Sequence, residues 1–249
     1  MARVRGTGQE RVLTDQLERA ILPSPTASGQ PDGVRVAVRY IAADRGLHVG
    51  GDWYVSAPLP DGDVLLSVGD ASGHGIAATT AMTALRHATA GFAATGAPPE
   101  QILSGLNALL CGQARHELAT AVVARFHPES GELTWSRAGH PPILLANRDG
   151  VAPLDQPDGA ILGVWPEARY EAAHRYLAPG DVVLLYTDGF VERPGHTVDE
   201  GVQELGRQVG SALAEGPGEG VTRMVGQLRR CNPRDDACAL AAAVSDPPG

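Results

Sequence analysis

Helix-like stretches in this chain come in pairs rather than one after each strand, and that grouping limits its architecture more than any other feature. Short apolar runs bounded by turn residues predict strands at 34–41, 52–58, 63–69, 118–127, 132–137, 142–147, 170–177, 181–187 and 237–244. Between them, the Ala-rich segment 75–95 and the segment 98–115, opening on Pro98 and Pro99, make one helix pair. Segments 198–214 and 219–230 make the other. A doubly wound parallel sheet needs a crossover helix after each strand, so the pairing favours antiparallel sheets with helices layered outside, an α+β class. Asp61-Gly62, Ser130-Gly131 and Asp149-Gly150 supply hairpin turns.

At 249 residues and 43% hydrophobic content the chain can bury a sizeable core. Residues 9–22 place Val12, Leu13, Leu17, Ala20 and Ile21 on one helical face; Pro23 and Pro25 stop that helix, and a Ser/Pro/Gly-rich linker runs on to Gly33. The expected division is a linker or regulatory helix over 1–30 and one domain over 31–249. A net charge of −9 argues against nucleic acid or an anionic membrane as partner, since either needs a basic face. All 20 basic residues are arginine, which excludes Schiff-base chemistry and the lysine-bearing phosphate loop. Cys111, Cys231 and Cys238 form no C-x-x-C pair, so they read as reduced packing residues. The N-terminus lacks the apolar core of a signal peptide, and no run approaches the roughly 20 apolar residues that span a bilayer, so a cytoplasmic location is expected.

The chemistry sits in aspartates at strand ends beside small residues: Asp52 in "VGGDWY", Asp70 in "LLSVGDASGHG", Asp188 in "YTDGF", and Asp235 with Asp236 in "PRDDACAL". Singly, each has an ordinary explanation as a turn or strand-end residue. Converging together, they would repel strongly unless a cation sat among them. Oxygen-only ligation suits Mg or Mn rather than zinc. Two such ions activate water for in-line attack on phosphate esters. Glycines 50, 51, 69, 73 and 75 would let backbone approach ions and substrate.

These residues carry a resemblance. "VGGDWY", "LLSVGDASGHGIAA", "AGHPPILL", "LAPGDVVLLYTDGFVE" and "DDACALAA" occur in the order and spacing of the SpoIIE-like branch of the metal-dependent serine/threonine protein phosphatases, type 2C. The resemblance runs from about Val34 to Val244, and "LERAILP" is similar to the helix that precedes the catalytic domain there. It implies a four-layer α-β-β-α sandwich, two antiparallel sheets flanked by helix pairs, with a site for two Mn2+ or Mg2+ ions at one end. Asp52, Asp70, Asp188 and Asp235 match the metal-ligating aspartates, with Asp70 bridging the ions, the Ala71 carbonyl as a further ligand and Asp236 as the alternative to Asp235. Asp52 and Asp70 would serve catalysis through the metals. The implied substrate is a phosphorylated protein, of the STAS-domain anti-sigma-factor antagonist type. In similar proteins the N-terminal helix joins a sensor or a dimer partner; the other reading is a terminal helix packed on its own domain.

Two residues depart from the family pattern. Val55 stands where the family usually has an acid after "GGDWY", which would remove a polar neighbour of the metal site. His74 lies four residues after Asp70, where eukaryotic relatives place their histidine two after. His74 is a candidate proton donor to the leaving oxygen, or a loop histidine bonded to backbone. His140 reads as a packing residue. A phosphatase-like domain that binds phosphoprotein without turnover is the alternative function. "GHGIAA" also matches G-x-G-x-x-A, but no strand-ending acid follows about 20 residues on, so a dinucleotide site is not expected.

Overall fold

The computed structural model describes residues 33–43, 49–113, 117–214 and 220–245. The helix expected at 9–22, its linker and any dimer contact through it lie outside the described residues. Sheet I runs in the order β1 (Val34–Ile41), β10 (Ala237–Val244), β9 (Val182–Tyr186), β6 (Leu144–Asn147), β7 (Gly150–Pro153). Sheet II runs β2 (Asp52–Pro58), β3 (Val64–Ala71), β4 (Ala119–His127), β5 (Glu132–Ala138), β8 (Ala172–Tyr176). Every neighbouring pair of strands is antiparallel. Helices α1 (Ile76–Ala94) and α2 (Pro99–Cys111) follow β3, and α3 (Val198–Ala214) and α4 (Gly220–Gln227) precede β10.

Three apolar clusters fill the three interfaces of this α-β-β-α sandwich. Strand alternation assigns the residues. On β3, Leu66 and Val68 face the other sheet and pack with Phe126, Trp135, Leu185 and Leu240. Leu65, one residue away, faces α1 and α2 beside Met82, Leu85 and Leu106. On the far side, Leu184 and Ala239 pack with Leu205, Val209 and Met224 of α3 and α4.

The predicted turns are where they were expected: Gly62, Gly131 and Gly150 hold φ of 89°, 73° and 125° in the three hairpins. Strand β7 was not anticipated, because four residues ending in Pro153 at a sheet edge carry too short a pattern to read. The G-x-G-x-x-A reading is excluded by topology, since β3 pairs antiparallel with both neighbours and no parallel β-α-β unit contains it. Among the described residues, no helix is long and apolar enough to cross a membrane. Cys111, Cys231 and Cys238 are free thiols.

Leu66 is fully buried between the sheets, so Leu66→Ala should lower unfolding free energy by about 2–5 kcal/mol, checked by urea denaturation.

Candidate metal centre

Asp52 opens β2, and its directly opposite partner on β3 is Asp70. Tyr54 and Val68, the next residues on the same faces, belong to the inter-sheet core. The two acids therefore cap that core at one end. Sheet I brings its own acids to the same end: Asp188 follows β9, while Asp235 and Asp236 precede β10, the strand paired with β9. The Thr187 N–H donates to the Cys238 carbonyl at 2.9 Å, which keeps these two strand ends together. The acidic cluster thus straddles the seam between sheets, with Asp52 and Asp70 on one side and the other three on the opposite side.

The glycines ahead of Asp52 are required by close approach. A Cβ on Gly50 would overlap the Asp236 carboxylate, and one on Gly51 would lie 2.3 Å from the Ala71 carbonyl oxygen and 2.8 Å from Asp70 Oδ1. The Ala71 carbonyl and the Asp70 carboxylate therefore converge on one spot. Asp236 Oδ1 accepts the Ala43 N–H at 2.7 Å, its Oδ2 accepts the Gly51 N–H at 3.3 Å, and the Tyr40 hydroxyl accepts the Gly50 N–H at 2.9 Å. Gly189 plays a similar part after Asp188, since a side chain there would strike the Asp236 carbonyl.

Burial and mutual repulsion disfavour the ionised acids. Asp52, 2% exposed, is held well above the ordinary aspartate range by burial and then by the charge of Asp70; a 2.7 Å hydrogen bond donated by Thr187 Oγ1 opposes this. Burial, then Asp188 and Asp235, push Asp70 up to about 8. Asp188 is raised to about 6 by burial, then by Asp235 and Glu192. Such a cluster crowds negative charge together, and its side-chain donors are all oxygen, which fits a hard divalent cation. Among the described residues no group of three or more His, Cys, Asp or Glu side chains is placed to hold a metal ion together. An Mg2+-type ion does not require one, because it usually binds through one or two carboxylates and keeps several waters.

The remaining expected residues divide. His74, Gly73, Gly75 and Gly50 line a cavity of about 520 Å³ together with Asp235, Asp236 and Arg234. His74 is exposed there. Gly69 departs from expectation: its missing side chain makes room for the Trp53 indole, its cross-strand partner. Val55 does not remove a neighbour of the acids, because it lies an odd number of residues from Asp52. The pleat turns it to the opposite face, among Trp53, Leu65 and Met82. His140 is buried, as expected, with Nδ1 2.9 Å from Thr120 Oγ1 and Nε2 3.0 Å from the Tyr186 carbonyl. Thr187 and Tyr40 were not anticipated. The first could have been noticed as the hydroxyl directly before Asp188, whereas nothing local marks the second.

Comparison with known proteins agrees with this architecture. The family model of stage II sporulation protein E (SpoIIE) matches residues 60–245. The phosphoserine phosphatase RsbU of Bacillus subtilis is 26% identical over 129 residues, 51% of this chain and 38% of that protein. The structure of the RsbU and RsbW domains of Rv1364c from Mycobacterium tuberculosis superposes with a TM-score of 0.77 at 27% identity, covering 87% of this chain and 63% of that one. The catalytic domain of the serine threonine protein phosphatase PstP, in complex with two manganese ions, shares the fold with a TM-score of 0.64 at 15% identity, over 86% of this chain and 99% of that one. The chain therefore spans well under half of the length of RsbU and somewhat under two thirds of the mycobacterial chain.

Two outcomes follow from the geometry. Gly51→Ala should weaken Mn2+ binding about tenfold or more by displacing Ala71 and Asp70, while Gly226→Ala, in open space on α4, should not; Mn2+ titration by electron paramagnetic resonance checks both. Because Asp70 and Asp188 are raised above the roughly 3.9 of an unfolded aspartate, the metal-free native state holds protons that the unfolded chain has released between about pH 4 and 8. This contribution is lost as pH rises through that window. The Tm in EDTA should fall from pH 5 to pH 8, and added Mn2+ should raise it more at pH 8. Asp70→Asn should flatten both responses.

Proposed function

The chain belongs to the SpoIIE family, and from that membership we propose that it is a metal-dependent phosphatase acting on phosphoserine or phosphothreonine of a regulatory protein. The observation that supports the reading is that five aspartates from two sheets, Asp52 buried and the others more open, lie near enough at one end of the sandwich to raise one another's pKa, beside a cavity that opens to solvent. Two Mn2+ or Mg2+ ions bound there would neutralise the cluster and supply an activated water for in-line attack on phosphorus. Asp52 and Asp70 would hold them from sheet II, with the Ala71 carbonyl alongside, and Asp188 and Asp235 from sheet I. Asp235 suits the ligand role better than Asp236, since both Asp236 oxygens accept backbone N–H groups from Ala43 and Gly51, whereas Asp235 Oδ1 accepts that of the next residue and its charge reaches Asp188 as well as Asp70. Water as nucleophile accounts for the absence of any serine or cysteine from this set.

The cavity has the chemistry to receive a phosphorylated side chain. Arg234, one residue before Asp235, and exposed His74 both line its wall; we propose the Arg234 guanidinium as a partner for the phosphate dianion and His74 as the proton donor to the leaving oxygen. A STAS-type anti-sigma-factor antagonist is the proposed substrate, supported by the similarity to RsbU. Residues 1–30 are proposed as the element through which a sensor or second copy acts, and the cytoplasm as the compartment. The alternative, a phosphoprotein-binding module without turnover, loses its motive once Val55 is seen to face away from the acids.

Hydrolysis of p-nitrophenyl phosphate is expected with Mn2+ and absent with EDTA, and Asp188→Asn should lower kcat/KM by about 100-fold or more. No Mn2+-dependent turnover by the wild-type protein would favour the binding module.

A further inference from the structure

We propose that His140 is a positioning residue that sets the alignment of the two sheets at the metal centre. The inference rests on the metal-centre reading and concerns how its two halves are kept in register. Asp52 and Asp70 belong to sheet II, and Asp188, Asp235 and Asp236 flank strands of sheet I. Between the sheets lies the apolar cluster of Leu66, Val68, Phe126, Leu185 and Leu240. Apolar burial is non-directional, so it holds the sheets together without fixing their lateral offset. Ligand positions must hold to about half an ångström, which calls for directional contacts.

Besides the Gly50 and Gly51 N–H groups ahead of β2, which reach Tyr40 of β1 and Asp236 just ahead of β10, two ties made by strand-end side chains cross the seam at this end. In the first, the Cys238 N–H donates to Thr187 Oγ1 at 2.8 Å, which leaves the Thr187 hydroxyl proton to point at Asp52 Oδ2 at 2.7 Å. In the second, His140 bridges Thr120 of β4 and the Tyr186 carbonyl of β9. A carbonyl only accepts, so Nε2 carries a proton. Burial pushes the ring pKa down to about 3, so the ring is neutral. Nδ1 is then a bare lone pair, and Thr120 must donate to it. One tautomer satisfies both partners.

Both ends of this bridge adjoin acids of the centre. Thr120 is the cross-strand partner of Asp70, and Tyr186 is followed by Thr187 and Asp188. The backbone carrying the ring is itself fixed: Gly139 pairs with Ala121 of β4, and Arg137 donates to the His140 carbonyl at 2.8 Å. His140 therefore couples the strand beside Asp70 to the strand that ends at Asp188, without touching an ion or substrate.

The test is Mn2+ affinity measured by electron paramagnetic resonance, alongside Tm in EDTA and kinetics with p-nitrophenyl phosphate. His140→Leu should raise the Mn2+ Kd about tenfold, as removal of groups that orient metal ligands generally does. Its kcat should approach wild type at saturating Mn2+, with KM for the ester unchanged. His140→Gln, whose amide can donate to the Tyr186 carbonyl while its oxygen accepts from Thr120, should recover part of the affinity. Thr120→Val removes one tie with little change of shape and should raise Kd by less; it decides the matter if His140→Leu does not fold. A lower Tm with unchanged Mn2+ Kd in these variants would reduce His140 to a packing residue and overturn the inference. Wild-type protein that binds no Mn2+ would overturn the metal-centre reading itself, a result visible before any variant is made.

Discussion

Asp52 and Asp70 face each other across adjacent strands, where side chains lie about 5 Å apart and like charges destabilise a sheet. Burial at the end of an apolar core sharpens that repulsion, because water cannot screen it. Much of the surrounding structure answers this one constraint. A rigid sandwich, closed by three apolar interfaces, holds charges together that would separate in a softer fold. The same crowding that disfavours the metal-free ionised state is what a divalent cation would relieve.

The seam between sheets is a demanding place for such a cluster. Neither sheet holds the whole set, so these acids come near one another only when both are docked. Strand ends suit this purpose better than long loops, since their backbone is fixed by cross-strand hydrogen bonds, on both sides for β3, β9 and β10 and on one side for the edge strand β2. The turns that complete the centre are themselves tied down: Asp236 accepts backbone N–H groups from Ala43 and Gly51, and the Gly189 carbonyl accepts from Cys231. Glycine at 50 and 51 is the condition for the chain ahead of β2 to lie against those carboxylates.

Polar groups inside the sandwich are few, and several serve the acidic end. Ser67, Asn107 and Ser136 donate to the backbone carbonyls of Val122, Trp165 and Glu171, whereas Thr187 and His140 reach from one sheet to the other. A buried histidine with both nitrogens engaged and its charge suppressed contributes direction rather than proton transfer. That distinguishes it from His74, which is exposed on the cavity wall.

The paired helices, the three glycine-bearing hairpins and the aspartates beside small residues were legible in the sequence, because each depends on local periodicity or backbone conformation. Strand alternation would also have turned Val55 away from Asp52, yet Val55 was expected to cost the acids a neighbour, and the packing of β2 corrected that. Other features were beyond the sequence. That Gly69 yields to Trp53 rather than to an ion, that Asp236 buttresses Gly51, and that His140 spans from Thr120 to Tyr186 all depend on contacts between residues far apart in the chain. The sequence by itself determined the elements and the kinds of donor atom available, since these follow from side-chain chemistry and short-range sterics. Only the tertiary structure decided which donors meet, because the docking of one sheet on the other is a collective outcome of core packing that no single stretch encodes.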